Sequence, residues 1–257
     1  MIARIDRLWP GPVENLSDDE LVASLGDGGA SSSGEQPVLR VNFVESIDGA
    51  ATVDGRSGGM SGPADKRRFE LLRRVADAVI VGAGTVRIEG YGPLRVSDAS
   101  AAWRTGHGMS EHPAFVIVTR SLALDPGSRI FAEAPVRPVI VTTASAGSAA
   151  ARARFEDVAD VIAVGEEDVD LAAALDALRA RRLGRLLCEG GPSLFGSLLA
   201  ADLVDELCVT IAPQLNSGDA RRIVDGAPEH SHAVRLVEVL ASGSELLLRY
   251  RLTRRGA

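Results

Sequence analysis

Residues 186–196 read Leu186-Leu187-Cys188-Glu189-Gly190-Gly191-Pro192-Ser193-Leu194-Phe195-Gly196. The apolar start is typical of a buried strand, and Pro192 favours the first turn of a helix, where a missing N–H does no harm. The glycines between them let backbone amides approach phosphate oxygens at the positive end of the helix. The stretch therefore predicts either a phosphate-binding turn or a tight connection without a ligand.

The alternation of strand and helix continues on both sides of this turn. Short apolar runs predict buried strands at 38–44, 78–81, 114–119, 138–142, 161–164 and 186–189. Helices are predicted at 63–75, 149–155, 171–181 and 192–201. Strands with no helix between them follow at 205–212, 234–240 and 245–252. This order predicts an α/β fold: a mixed, mainly parallel sheet flanked by helices, with an antiparallel C-terminal edge.

The first 37 residues are predicted to be an extension, and residues 38–257 to form one domain. Ser17-Asp18-Asp19-Glu20 has the pattern of a capping box, which predicts a helix at 18–25. Residues 26–35 have the composition of a flexible linker, because small polar side chains offer little surface to bury.

Composition excludes several classes of protein. The formal charge is -7 and the 28 Lys and Arg residues are scattered, so we expect no nucleic acid partner. No apolar run approaches the roughly 18 residues that a membrane span needs, so we expect no membrane partner. Cys188 and Cys208 lie in apolar runs and the four histidines lack metal-ligand spacing. We therefore expect free thiols, a cytoplasmic location and no metal.

A second glycine-rich turn, Gly82-Ala83-Gly84-Thr85, follows the strand predicted at 78–81. It begins like the dinucleotide pattern GxGxxG, but Arg87 takes the last glycine position and no acid follows about twenty residues later. Gly191 to Gly196 is likewise not a P-loop, since Ser197-Leu198 replaces Lys-Ser/Thr. The Rossmann and P-loop folds are excluded, and a phosphate turn of another fold remains.

The helix predicted at 63–75 carries charge on its apolar face. Asp65, Phe69, Leu72 and Arg73 fall on one side of it. A carboxylate there can pair with a ring N–H or amino group of a pyrimidine or pterin. Alternatively, Asp65 only complements the helix dipole and Arg73 reaches out to water.

Two further charges stand at strand ends. Arg120, between Thr119 and Ser121, suits a monoester such as the 2′-phosphate of NADP, or is an ordinary solvated residue. Glu189 ends a strand buried on both faces, where an unpaired carboxylate is costly, so it needs a ligand or a nearby arginine as partner.

The ordered set of motifs resembles the reductase domain of bacterial riboflavin biosynthesis, whose fold is that of dihydrofolate reductase. It is particularly similar to the stand-alone actinobacterial pyrimidine reductase family proteins, and the similarity spans roughly residues 38–255. The matching elements are Asn42 to Gly49 (N-x-x-x-S-[LI]-D-G), Ser61-Gly62-Pro63, Leu71-Leu72-Arg73 with Ala76-Asp77-Ala78, Gly82 to Thr85, Glu189 to Leu194, and Leu203 to Leu207 leading to Ile211-Ala212-Pro213.

This resemblance implies an NADPH-dependent reductase that transfers a hydride to ribose C1′ of a ribosylamino-pyrimidine phosphate, such as the 5-amino-uracil compound. It implies substrate contacts at Asn42, Ser57, Arg73 and Glu189, with Arg95 a further candidate. Asp65 occupies about the place of the pterin-binding carboxylate and is the candidate catalytic residue. The implied cofactor contacts are Val44, Gly82, Gly84, Thr85, Glu89, Thr119, Arg120, Ser121, Gly190, Gly191, Pro192, Ser193, Leu194, Phe195 and Gly196.

The sequence departs from the family pattern in two places, and the second departure leaves the substrate open. The sequence lacks the HxE…PCxxC pattern of the zinc deaminase domain, so we expect no deamination. Asn42 stands where many bacterial reductases have a lysine, which leaves a pterin substrate and dihydrofolate reduction open. An NADPH-binding protein without catalysis is a third possibility. The resemblance to this family implies a homodimer, and the apolar C-terminal strands are consistent with one.

Overall fold

The computed structural model describes residues 3–26 and 39–253. The linker predicted at 26–35 lies outside these residues except for Gly26. The described strands are β1 (Asp6–Trp9), β2 (Leu39–Ser46), β3 (Ala78–Gly82), β4 (Ala114–Val118), β5 (Val139–Thr142), β6 (Asp160–Ala163), β7 (Leu186–Cys188), β8 (Glu206–Ala212), β9 (Val234–Ser242) and β10 (Glu245–Leu252). The helices are α1 (Asp18–Ser24), α2 (Pro63–Val75), α3 (Ala83–Glu89), α4 (Asp98–Gly106), α5 (Arg129–Ala132), α6 (Ala149–Ala153), α7 (Leu171–Ala180) and α8 (Pro192–Ala200).

The strands form one sheet in the order β1-β9-β10-β8-β2-β7-β3-β4-β5-β6. Pairing is parallel from β8 to β6 and antiparallel among β8, β10, β9 and β1. The predicted fold class, mainly parallel with an antiparallel C-terminal edge, is confirmed.

Apolar side chains cover both faces of the parallel strands. In β3, Val79 and Val81 belong to a cluster with residues of α1 and α2, whereas Ile80 belongs to a second cluster with residues of α7 and α8. Successive side chains of a strand point to opposite faces, so a strand covered on both sides is apolar throughout. This explains why these strands read as unbroken apolar runs.

Part of the predicted extension packs against the sheet. β1 pairs with β9, with Asp6 opposite Ala241 and Arg7 opposite Leu240. Ile5 and the α1 residue Leu21 are fully buried in the cluster that also holds α2. The domain boundary near residue 38 remains a prediction, but residues 5–25 contribute an edge strand and a covering helix to the same body.

A layer of buried charge lies between α1 and the antiparallel strands. Arg40 Nε lies 3.0 Å from Glu206 Oε2, and Arg249 Nη1 lies 3.4 Å from Glu206 Oε1. Arg68 Nη2 lies 3.2 Å from Glu238 Oε2. These three arginines also donate to carbonyls at the C-terminal end of α1, where the backbone N–H partners of a helix run out. The bonds are Arg68 to Leu21 O (3.2 Å), Arg249 to Ser24 O (2.7 Å) and Arg40 to Leu25 O (3.1 Å).

This layer makes stability depend on Glu206. Burial, which raises the pKa of Glu206, is outweighed by Arg40 and Arg249, so its pKa lies below the ordinary value. The Glu206→Gln substitution leaves buried arginines uncompensated, and we expect it to lower the free energy of unfolding by about 3–5 kcal/mol near pH 7. A carboxyl with a lowered folded-state pKa stabilises above its unfolded pKa of about 4.3, and that stabilisation is lost as pH falls through the folded value. The difference in free energy of unfolding between the wild-type protein and Glu206→Gln should therefore decrease in acid.

Urea unfolding across this pH range measures the effect. The control is Glu111→Gln, at an exposed carboxyl, which should change stability by less than about 0.5 kcal/mol. A Glu206→Gln loss as small as that of the control, or one independent of pH, would contradict the role of the layer.

Candidate active site

A cavity of about 1150 Å³ opens where β2, β3 and β7 end. Ligands in open α/β sheets bind beyond the carboxyl ends of strands, and a typical small-molecule pocket is roughly 300–1,000 Å³. This cavity is therefore large enough for a cofactor beside a second molecule. The predicted site residues in its wall are Asn42, Val44, Ser57, Asp65, Gly82, Gly84, Thr85, Glu89, Glu189, Gly191, Pro192, Ser193 and Leu194.

The two glycine-rich turns meet at one end of the cavity. Gly82 N donates to Gly190 O at 2.9 Å. Gly190 has a φ of +94°, and a Cβ there would lie 2.9 Å from Phe43 Cζ. A Cβ at Gly191 would overlap the Thr85 hydroxyl. Glycine at positions 190 and 191 therefore permits the two turns to lie this close together.

Helix α8 begins at this contact. Its N-cap, Gly191, supplies no side-chain hydrogen bond, and Pro192 is the first helical residue. The first amides of a helix lack partners within it and carry partial positive charge. Because Ser193 and Leu194 line the cavity, this end suits an anion.

The buried carboxylate at the end of β7 has protein partners. Arg73 donates from Nε and Nη2 to Glu189 at 2.6 and 2.7 Å, and the Tyr91 hydroxyl donates at 2.9 Å. Burial lowers the pKa of Arg73, but Glu189 outweighs it, so the pKa lies above its usual value. Burial and Glu189 both raise the pKa of the Tyr91 phenol. Of the two partners left open for Glu189, the structure supplies the arginine, and Arg73 is paired with it instead of reaching out to water.

Asp65 lies in the first turn of α2 and faces the cavity. Only 5% of the residue is exposed, and the Ser61 hydroxyl donates to its Oδ2. Within the described residues, its Oδ1 accepts no hydrogen bond from protein. A buried carboxylate retains acceptor capacity that must be satisfied, so this side chain is suited to N–H donors of a ligand.

Two loops also contribute to the cavity wall. Asp48 Oδ1 accepts from the Ser46 hydroxyl at 2.5 Å and from Asn216 N at 3.0 Å. Glu89 accepts from Ser57 N at 2.9 Å. Residues 215–217 and 219–221 also line the cavity, as does Tyr91, and sequence reasoning gave none of them a role. The sequence feature that leads to the 215–221 segment is Asp48, whose carboxylate binds its backbone.

Several predicted site residues lie outside the cavity wall. Phe195 stacks on Phe43 with ring centroids 5.3 Å apart, and Gly196 lies against Asp225 O. Arg120 is exposed and its Nη1 lies 3.2 Å from Asp168. The others outside the wall are Arg73, Arg95, Thr119, Ser121 and Gly190.

No group of three His, Cys, Asp or Glu side chains among residues 3–26 and 39–253 has the arrangement of a metal site. In the same part of the chain, no helix combines the length and apolar character of a membrane span.

The fold and cavity define a class of protein: an α/β protein with a cavity whose paired glycine turns suit an anion and whose buried carboxylate suits a heterocycle. The family described as the RibD C-terminal domain matches residues 37–248, and the chain belongs to this family. The predictions of the family and of the dihydrofolate reductase-like fold are confirmed.

Named relatives agree with this assignment. The 2,5-diamino-6-ribosylamino-4(3H)-pyrimidinone 5′-phosphate reductase of Methanothermobacter thermautotrophicus is 31% identical over 221 residues, which cover 84% of this chain and 98% of that protein. The reductase of the same name from Archaeoglobus fulgidus is 30% identical over 193 residues, 74% of this chain and 87% of that one. The crystal structure of a pyrimidine reductase-like protein from Corynebacterium diphtheriae has a TM-score of 0.81 at 28% identity, and covers 93% of this chain and 100% of that one.

Proposed function

We propose that this protein is an NADPH-dependent reductase of a ribosylamino-pyrimidine phosphate in riboflavin biosynthesis, acting at ribose C1′. The observation that carries the proposal is that the glycine turns, the start of α8 and a buried carboxylate, Asp65, line the same cavity. The names of the relatives support this reductase and favour neither dihydrofolate reduction nor loss of catalysis. Two free, buried cysteines accord with the cytoplasmic location, which stays a prediction.

The residues at the glycine end fit the cofactor. Gly82, Gly84, Thr85, Gly190 and Gly191 form what we call the glycine cradle. A side chain at Gly191 would collide with Thr85, and one at Gly190 would crowd Phe43, so glycine at these two positions preserves the shape of the cradle. We assign the phosphates to Gly82, Gly84, Thr85 and the start of α8, and the rest of the cofactor to Val44, Glu89 and residues 119–121. When bound, NADPH supplies the hydride. Gly190, Phe195 and Gly196 support this surface from behind.

At the substrate end, Asp65 selects the ring. Its carboxylate can accept two N–H bonds, from the 2-amino group and the neighbouring ring N–H of a 2-aminopyrimidinone. Uracil has a carbonyl oxygen in place of that amino group, and a carboxylate repels it. We therefore favour the 2,5-diamino pyrimidinone phosphate, the compound in the names of the relatives, over the corresponding uracil. Asn42, Ser57, Arg73 and Glu189 are the other residues assigned to the substrate.

We expect Asp65→Asn to lower kcat/KM for the diamino phosphate about 10- to 100-fold, because charge-assisted hydrogen bonds contribute about 1.5–3 kcal/mol. The Kd for NADPH should not change, because Asp65 lies outside the glycine cradle. Steady-state kinetics and fluorescence titration measure the two quantities. Asp19→Asn is the matched control, since Asp19 also occupies the first turn of a helix but is exposed. Full activity in Asp65→Asn would refute the assignment.

Arg120 is assigned to the 2′-phosphate, because Val118 pairs with Gly82 and Arg120 therefore emerges at the same edge of the sheet as the glycine cradle. The ion pair between Arg120 and Asp168 is exposed, so it contributes little to stability and a ligand can readily replace Asp168. We expect Arg120→Ala to raise the Kd for NADPH about tenfold and leave that for NADH unchanged. Arg129→Ala, which removes another exposed, paired arginine, is the control. Equal weakening of both cofactors would count against the assignment.

The homodimer is proposed on the outer face of the antiparallel strands. Leu246 lies opposite Ile211 and Ala241, and Leu248 opposite Val209 and Val239, so these side chains share one face. Leu236 and Leu246 are 36% and 39% exposed. A contiguous apolar face of this kind marks a protein interface, and a two-fold dimer would pair it with itself.

We expect Leu246→Glu to convert the dimer to a monomer, because a carboxylate would be desolvated on both sides of the interface. Sedimentation velocity measures the change. Ala102→Glu, at an exposed position of α4, is the control and should leave the dimer intact. A wild-type protein that sediments as a monomer would refute the proposal.

A further inference from the structure

Lys66 is the only lysine in the sequence, since the other members of the 28 basic residues are arginines. It lies in the first turn of α2, directly after Asp65, and lines the cavity. Asp65 is buried and Lys66 is exposed, so the two side chains stand at different depths of one wall. The single lysine side chain of the protein is therefore at the outer part of the candidate substrate site.

Charge in the cavity wall distinguishes Lys66 from its neighbours. The other cation there, Arg221, is paired with Asp225 at 3.4 Å. Among the described residues, Lys66 has no carboxylate within 4.0 Å, although it acts on Glu245 at longer range. The acids in the wall are Asp54, Asp65, Glu89, Glu189 and Asp219. Because acids outnumber cations in the wall, an anionic group away from the glycine turns is best stabilised beside Lys66, whose charge no carboxylate of the described residues within 4.0 Å offsets.

We infer that Lys66 binds the 5′-phosphate of the substrate and makes the enzyme select the phosphorylated compound; this rests on the proposed function. With the ring held at buried Asp65, a ribosyl phosphate extends toward the rim of the cavity. An ammonium group on a flexible stem meets a phosphate monoester there, whereas the glycine turns are assigned to the cofactor. Lys66 is thus a specificity-determining residue and Asp65 is the residue that recognises the ring.

The presence of one lysine makes a direct labelling test possible. Sulfosuccinimidyl acetate will acetylate Lys66 and the α-amino group of the chain, and peptide mass spectrometry follows each rate. With NADP present, we expect 2,5-diamino-6-ribosylamino-4(3H)-pyrimidinone 5′-phosphate to slow acetylation of Lys66 about tenfold. Its dephosphorylated form should give no protection, and the rate at the α-amino group should stay constant. Equal labelling with and without the phosphorylated compound would overturn the proposal.

Kinetics supply the second readout. Lys66→Met should raise KM for the phosphorylated compound at least tenfold, with kcat within twofold and KM for the dephosphorylated compound unchanged. Lys66→Arg should restore most of the affinity, since it keeps the charge. An unchanged ratio of the two KM values in Lys66→Met would overturn the proposal.

The two levels of inference fail differently. Protection of Lys66 by the phosphorylated compound without turnover would support the phosphate site and refute the proposed reaction. Turnover of both compounds with equal KM and no protection would support the reaction and refute the role of Lys66.

Discussion

The pair between Arg73 and Glu189 holds the two halves of the site together. Glu189 ends a strand buried on both faces, so its charge requires a partner, and Arg73 supplies two hydrogen bonds from α2. Asp65 is eight residues earlier on the same helix, about 12 Å along its axis. Fixing one end of α2 to β7 therefore sets the distance between the glycine turns and the Asp65 carboxylate. Arg104 also donates to the last carbonyls of α2, which limits rotation of the helix.

Elements with strong local preferences were predictable from sequence. Pro63 and Pro192 each begin a helix where predicted, and α2 has the predicted bounds. Helix α3 was not recognised because Gly84 lies inside it and glycine is a poor helix former. The four residues of β1 are too few for a periodic pattern, and their place is set by pairing with β9. The charge layer beneath α1 depends on residues up to 225 positions apart, which no local pattern reveals.

Convergence of the site was predictable for a different reason. Parallel strands end at a common edge, so residues at the ends of β2, β3 and β7 meet whatever their separation in sequence. No comparable rule predicts where loop residues will lie. Tyr91 and the 215–221 segment were missed for this reason. The partner of Glu189 was also undetermined, since the sequence offers many arginines and only the packing of α2 selects Arg73.

The two ends of the cavity differ in how substitution can change them. The end that we assign to the cofactor is formed largely by backbone, and at Gly190 and Gly191 any added atom meets a neighbouring side chain. The end that we assign to the substrate is formed by side chains, Asp65 and Lys66, on one helix whose position is held by Arg73 and Arg104. Under these assignments, a change at Asp65 or Lys66 would alter which ring or which anion is accepted and would leave the glycine turns in place. A reductase built this way can alter its substrate while retaining the same hydride donor.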